Sequence, residues 1–181
     1  MRNFALALNV LLSALILLAI SGCATRSGAY FDSGGVSLHY KVQGEGEPVV
    51  LVHGYGVDAE RNWRWPGISG TLAREYQVVR FDLRGHGRSD KPHDPSAYGL
   101  EMAEDVIRLM DHLEIDRAHV VGYSLGGFIA LKLVTTHPDR LITAVPCAAG
   151  WEEAKGDNIL RLMSVAGAVD GPEGFRPLFR E

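Results

Sequence analysis

Cysteine is nearly absent from this chain: only Cys23 and Cys147 occur in 181 residues. Two cysteines exclude the disulfide framework that holds many small secreted domains together. There is no excess of basic residues either. Lys and Arg number 18 against 22 Asp and Glu, for a formal net charge of -4, and the two signs are mixed along the chain. That balance argues against nucleic acid as a partner and for an ordinary solvated surface. No internal repeat, low-complexity tract or cluster with metal-ligand spacing occurs, so no metal is expected. The glycines around Gly85 do not open a helix, as a dinucleotide fingerprint requires, so no cofactor is expected either. Histidine is missing beyond His137.

What is present begins with an apolar run from Phe4 to Ile20, interrupted only by Asn9 and Ser13. Arg2 precedes it and the small residues Ser21 and Gly22 follow, so residues 1–22 read as an export signal. The run is also long enough for an uncleaved membrane anchor, and a soluble secretory signal followed by a chance cysteine is a third reading. Ile20-Ser21-Gly22-Cys23 resembles the lipobox of bacterial lipoproteins. That resemblance implies cleavage before Cys23, a diacylglycerol thioether on its sulfur and usually an N-acyl chain. Several acyl chains bind a bilayer far more durably than one. The resemblance thus implies an exported chain, lipid-anchored to the bacterial cell envelope, with residues 23–29 as a lipidated tether. The final membrane is the outer one or the outer face of the inner one, and Ala24 after the cysteine favours the outer. Cys147 is then left without a partner and is expected to pack as a small buried hydrophobe.

From Val36 onward, strands and helices alternate. Val36, Leu38, Tyr40 and Val42 share one strand face, with Ser37, His39 and Lys41 on the other. This period of two predicts a half-exposed strand near a sheet edge, with His39 at the surface. Val49 to Val52 is apolar on both sides and predicts a strand buried inside a parallel sheet. Residues 63–75 predict a loop and then a short helix from about Ser69 to Glu75, with Trp63 and Trp65 walling a pocket or packing in the core. Tyr76 to Phe81 predicts a buried strand. Leu100 to Leu113 predicts a helix whose Val106, Leu109, Met110 and Leu113 form one apolar stripe, with Glu104, Asp105, Arg108 and Asp111 elsewhere. Leu141 to Val145 predicts a further buried strand. The alternation implies a mostly parallel central sheet with helices on both faces.

The chemistry centres on Gly122-Tyr123-Ser124-Leu125-Gly126. Ala118 to Val121 before it reads as a strand, and Phe128 to His137 after it reads as a helix. A serine at a sharp strand-to-helix corner, with glycine two residues away on each side, is a nucleophile elbow. Ser124 is therefore the candidate nucleophile. Gly122 and Gly126 are required because side chains there would collide with backbone. The helix start also favours developing negative charge.

Three segments together resemble the α/β-hydrolase family: this elbow, His53-Gly54-Tyr55-Gly56 after the Val49–Val52 strand, and Asp82-Leu83-Arg84-Gly85-His86-Gly87-Arg88-Ser89 after the next one. The resemblance covers Val36 to about Gly150 well and the rest loosely. In that family a His-Gly pair at this strand end precedes an oxyanion-hole residue, here Tyr55. Its backbone N–H, with that of Leu125, would hold the oxyanion of a tetrahedral intermediate. Asp82, Arg84 and His86 are read as loop-shaping residues, the first two as a charged pair, rather than as catalysts. The resemblance implies a serine hydrolase working by acyl transfer on a small ester-like substrate. Serine at the elbow disfavours the relatives that use aspartate there, dehalogenases and epoxide hydrolases.

Serine catalysis also needs a histidine base and an orienting acid, in the order serine, acid, histidine for this fold. The one histidine after Ser124 is His137, at the far end of the same helix and about 20 Å away at 1.5 Å per residue. Glu152 and Glu153 stand near where some members place the acid, but no histidine accompanies them. Residues 30–150 are accordingly expected to be the N-terminal part of an incomplete hydrolase core, and 151–181 the start of a lid. The opposing expectation is a lipid-anchored binding protein with a degenerate site.

Overall fold

The computed structural model describes residues 28–149, a six-stranded sheet in the order β1-β2-β4-β3-β5-β6. The strands are β1 (Ala29–Asp32), β2 (Ser37–Gln43), β3 (Glu47–Val52), β4 (Tyr76–Phe81), β5 (Ala118–Tyr123) and β6 (Leu141–Cys147). β1, β2 and β4 pair antiparallel, and β4, β3, β5 and β6 run parallel. Three α-helices are described: α1 (Ile68–Leu72), α2 (Leu100–His112) and α3 (Leu125–Thr136). A π-helical turn at Glu60–Arg64 precedes α1.

Helices cover both faces, and the apolar runs explain why. In β3, Val50 and Val52 join Val79, Phe81 and Val120 on one face, under Met102, Val106, Leu109 and Met110 of α2 and Ile129, Ala130 and Leu133 of α3. Val49 and Leu51 face the other way, with Val78, against Trp63 of the π turn and Leu72 of α1. A strand apolar on both sides belongs at such a position, since neither face meets water. Glu60 ties the π turn to the sheet by accepting from Lys41 Nζ at 3.1 Å and Arg80 Nη2 at 3.2 Å.

Several expectations are corrected. The segment before Val36 contains a strand, β1, whose Phe31 is buried in the core. β1 takes the edge, so β2 lies inside the sheet, and His39, packed by the Tyr30 ring and bonded to Asp82, is buried, 4% exposed, instead of lying at the surface. Asp105 is buried as well: it lies three residues after Met102 and four before Leu109, on the covered side of α2. The helix after Gly67 stops at Leu72 and does not reach Glu75. Trp63 belongs to the π turn rather than to a loop and is buried, while Trp65 is largely exposed. β6 is the outer strand among the described residues, and its alternating exposure, with Val145 at 44%, replaces the expected full burial. Cys147 at its end is a half-buried free thiol rather than a buried one. The export signal, Cys23, the acidic pair at 152 and 153 and the expected lid at 151–181 lie outside the described residues.

Candidate active site

β5 delivers Ser124 at its C-terminal end, and α3 starts at the next residue. Ser124 has φ 51° and ψ -111°, a region that costs a non-glycine residue on the order of 1–3 kcal/mol. The surroundings hold it there. Its amide donates to the Cys147 carbonyl at 2.8 Å, and its own carbonyl accepts from Phe128 N at 3.1 Å. The flanking glycines are sterically obligatory. A Cβ on Gly122 would lie 1.9 Å from the Gly126 carbonyl oxygen, and one on Gly126 would lie 2.1 Å from the Val52 oxygen.

That second contact shows how the elbow is placed: α3 begins against the end of β3. His53 and Gly54 follow directly. A Cβ on Gly54 would fall 3.1 Å from the Tyr123 ring and 3.5 Å from Ser124 Cβ, so the loop backbone packs on the serine itself. The structure therefore brings together His53, Gly54, Gly122, Ser124 and Gly126, with Tyr55 and Leu125 each one residue from a group in this contact. Leu125 is the first residue of α3, where backbone N–H groups have no intrahelical acceptor.

The His53 ring is completely buried. Its Nε2 accepts from the Leu83 amide at 2.9 Å, and its Nδ1 lies 2.7 Å from the Gly54 carbonyl oxygen. An amide only donates and a carbonyl only accepts, so the ring is neutral with its proton on Nδ1. Burial lowers its pKa to about 4, with the neighbouring His86 adding to the effect. The Gly54 amide in turn donates to Asn62 Oδ1 at 2.9 Å, a contact from the π turn for which the sequence carries no signal. His86 packs edge-on against both His53 and Tyr55, with ring centroids 5.2 and 5.4 Å away.

Asp82 and Arg84 do not pair with each other. Asp82 accepts from His39 Nδ1 at 3.1 Å, the Ala59 amide at 2.9 Å and the Arg88 amide at 3.0 Å, tying β2 to the loops after β3 and β4. Burial alone would raise its pKa, but these three donors hold it down at about 2. Arg84 instead forks onto Asp105, Nε to Oδ2 at 2.7 Å and Nη2 to Oδ1 at 2.5 Å, fully inside the protein. The spacing of Asp105 from Met102 and Leu109 could have marked it as buried, but not as the partner of Arg84. Nothing comparable marked His39, because β1 was not visible.

No hydrogen bond reaches the Ser124 hydroxyl from any described residue. All seven histidines of the chain lie within the described residues. His137 caps the far end of α3, and His119 sits at the opposite end of β5 beside Thr143. His112 is exposed and meets the Tyr40 hydroxyl at 3.1 Å. Among the described residues no group of His, Cys, Asp and Glu is arranged to hold a metal ion.

A family model described as the alpha/beta hydrolase fold matches residues 47–168. The chain is 34% identical over 156 residues to a protein of Azorhizobium caulinodans named "Putative carbamate hydrolase RutD", covering 83% of this chain and 57% of that one. Among solved structures it resembles the enol-lactonase from Burkholderia xenovorans, with TM-score 0.66, 31% identity and coverage of 76% and 52%. It also resembles a Vigna radiata epoxide hydrolase mutant, with TM-score 0.60, 32% identity and coverage of 65% and 37%. The chain thus spans about half the length of the relatives it matches. With the family model covering more than half of it, and relatives named as hydrolases among its neighbours, the chain belongs to the α/β-hydrolase fold family.

Proposed function

We propose that Ser124 is the nucleophile of an acyl-transfer hydrolase acting on a small ester-like carbonyl substrate. The observation that carries this reading is the strained Ser124 corner, closed by glycines that backbone contacts demand and packed on the His53-Gly54-Tyr55 turn. The serine oxygen attacks the carbonyl carbon, and the amides of Tyr55 and Leu125 receive the oxyanion; one such donor is worth about 3 kcal/mol. The intermediate then collapses to an acyl-enzyme as the ester C–O bond breaks and the alcohol leaves with the proton taken from the serine, and water cleaves the acyl–serine bond to release the acid and restore the hydroxyl. The names of two relatives, a carbamate hydrolase and an enol-lactonase, describe carbonyl substrates and support this class. The epoxide hydrolase relative is the less apt guide, because serine rather than aspartate occupies the elbow here.

The base and the acid are proposed to come from sequence beyond these 181 residues. A fluorophosphonate probe on the full-length protein tests the nucleophile. Stoichiometric labelling, lost in Ser124→Ala together with turnover of p-nitrophenyl butyrate, is the expected result. A folded full-length protein that never labels overturns the nucleophile and favours the other reading, a lipid-anchored protein that binds a small ligand without catalysis. The 181-residue chain by itself is expected to turn over that ester negligibly.

For the N-terminus, the Ile20-Ser21-Gly22-Cys23 sequence supports export and lipidation at Cys23, with attachment to the bacterial cell envelope. Metabolic labelling with palmitate is expected to mark the wild type and not Cys23→Ala. Equal labelling of both, or of neither, refutes it.

A further inference from the structure

The turn after β3 carries a device that the nucleophile reading does not use. We propose that His53 is a positioning residue: its Nδ1–H clamps the Gly54 carbonyl and thereby sets the direction in which the Tyr55 N–H points. This rests on the reading of Ser124 as nucleophile and Tyr55 as oxyanion donor.

The Gly54 C=O and the Tyr55 N–H belong to one planar peptide unit and point in opposite directions across it. Fixing the oxygen therefore fixes the hydrogen. Glycine makes that unit easy to rotate, since φ and ψ at Gly54 are unrestrained by a side chain. Two side chains remove the freedom. Asn62 holds the Gly54 amide at 2.9 Å, and His53 holds the Gly54 carbonyl at 2.7 Å. The His53 ring cannot turn over, because its other nitrogen is engaged by the Leu83 amide at 2.9 Å. The Leu83 amide therefore selects the tautomer, and the tautomer supplies the donor that the Gly54 oxygen needs. His86 closes the assembly by packing on the His53 ring and the Tyr55 ring together. The neutral state is protected by burial, which carries the His53 pKa to about 4, and the charged and titratable groups that act on it are His86, Asp82 and Asp58.

Two isosteric replacements separate this role from plain bracing of the loops. In His53→Asn the side-chain amide nitrogen takes the place of Nδ1, keeps the bond to Gly54 and forfeits the one to Leu83. In His53→Gln the reverse holds: the longer side chain reaches Leu83 and leaves the Gly54 carbonyl unclamped. On the full-length enzyme with p-nitrophenyl butyrate, a misaimed donor is expected to lower kcat of His53→Gln roughly 10²-fold with KM within about 3-fold, while His53→Asn stays within about 5-fold in kcat. Equal losses in both variants, or a His53→Gln enzyme with wild-type kcat, overturn the proposal. The ring itself is read separately by 15N NMR of the histidines. A protonated Nδ1 and bare Nε2 on His53 at pH 7 are expected, and the opposite tautomer overturns the clamp even if a variant fails to fold. Fluorophosphonate labelling of wild-type Ser124 distinguishes the two failures: without labelling the nucleophile reading falls and the clamp's catalytic role with it, whereas labelling with indifferent His53 variants removes the clamp alone.

Discussion

Replacing Asp105 by alanine is expected to be among the most damaging single changes outside the elbow. Its carboxylate has no solvent exposure and receives both arms of Arg84, at 2.7 and 2.5 Å, as well as the Ser33 hydroxyl at 2.5 Å. The Arg84 side chain is only 2% exposed and also donates to the Ala97 carbonyl. Burial pushes the Asp105 carboxyl above its ordinary range, even though the Arg84 fork pulls the other way. The pair as a whole is therefore close to neutral for stability, but neither member tolerates the loss of the other. Asp105→Ala strands a guanidinium in the core, which costs about 3–5 kcal/mol. At roughly 2–4 °C per kcal/mol for a chain of this size, Tm falls by about 10 °C. Urea unfolding followed by Trp fluorescence measures the loss. The double variant Arg84→Met/Asp105→Leu removes both charges and is expected to recover most of it. A single variant within about 1 kcal/mol of wild type, or a double variant as unstable as the sum of its parts, refutes the reasoning.

Asp82 predicts an acid limb in stability. Its folded pKa of about 2 lies below the ordinary 3.8, so its contribution is complete above about pH 4 and is lost as pH falls toward 2, on the order of 2 kcal/mol in all. Urea midpoints taken across that range should show the slope in wild type and a flatter one in Asp82→Asn. Two glycine replacements should part company. Gly126→Ala sets a methyl 2.1 Å from the Val52 oxygen and 2.9 Å from the His53 oxygen, and is expected to cost about 3 kcal/mol and to displace the turn against Ser124. Gly70→Ala, in α1 with nothing within 4 Å of the new methyl, should gain about 0.5–1 kcal/mol; a Tm that moves the same way in both variants contradicts the steric account.

What the sequence showed plainly was whatever is decided locally. The spacing of Gly122, Ser124 and Gly126 is legible because a tight corner imposes its steric demands within five residues. The run at Val49–Val52 is legible because a strand covered on both faces is apolar at every position, and Val78, Val79 and Phe81 follow the same rule around Arg80, which is buried and paired with Glu60. What it hid were choices made over distance. Alternation in β2 put His39 outward, but that rule assumes one solvated face, and here Gly28, the Tyr30 ring opposite it in β1 and the Asp82 carboxylate lie against the His39 ring. Asp82 and Arg84 stand two residues apart and invite pairing with each other. Their partners are His39 and Asp105, 43 and 21 residues away, found only once the sheet order brings β2 beside β4 and lays α2 across it.

The parallel order β4-β3-β5 places the loops after three neighbouring strands at one edge of the sheet, the carboxyl end where α/β proteins collect their ligands. One hydrogen bond between loops, one within a loop and one packing contact link them in turn. Leu83, after β4, holds His53; His53, after β3, holds Gly54; and Gly54 lies against Ser124, after β5. The stabilising half of the proposed reaction, nucleophile position and oxyanion donors, is thus built within one contiguous arrangement of backbone and buried polar groups. Proton transfer asks for something different, a group free to exchange its proton with the serine. His53 is disqualified for that task by the same two bonds that suit it to positioning, since both of its nitrogens are engaged inside the protein. A histidine that orients the site and a histidine that exchanges protons must therefore be separate residues, and the two bonds of His53 suit it to the first task alone.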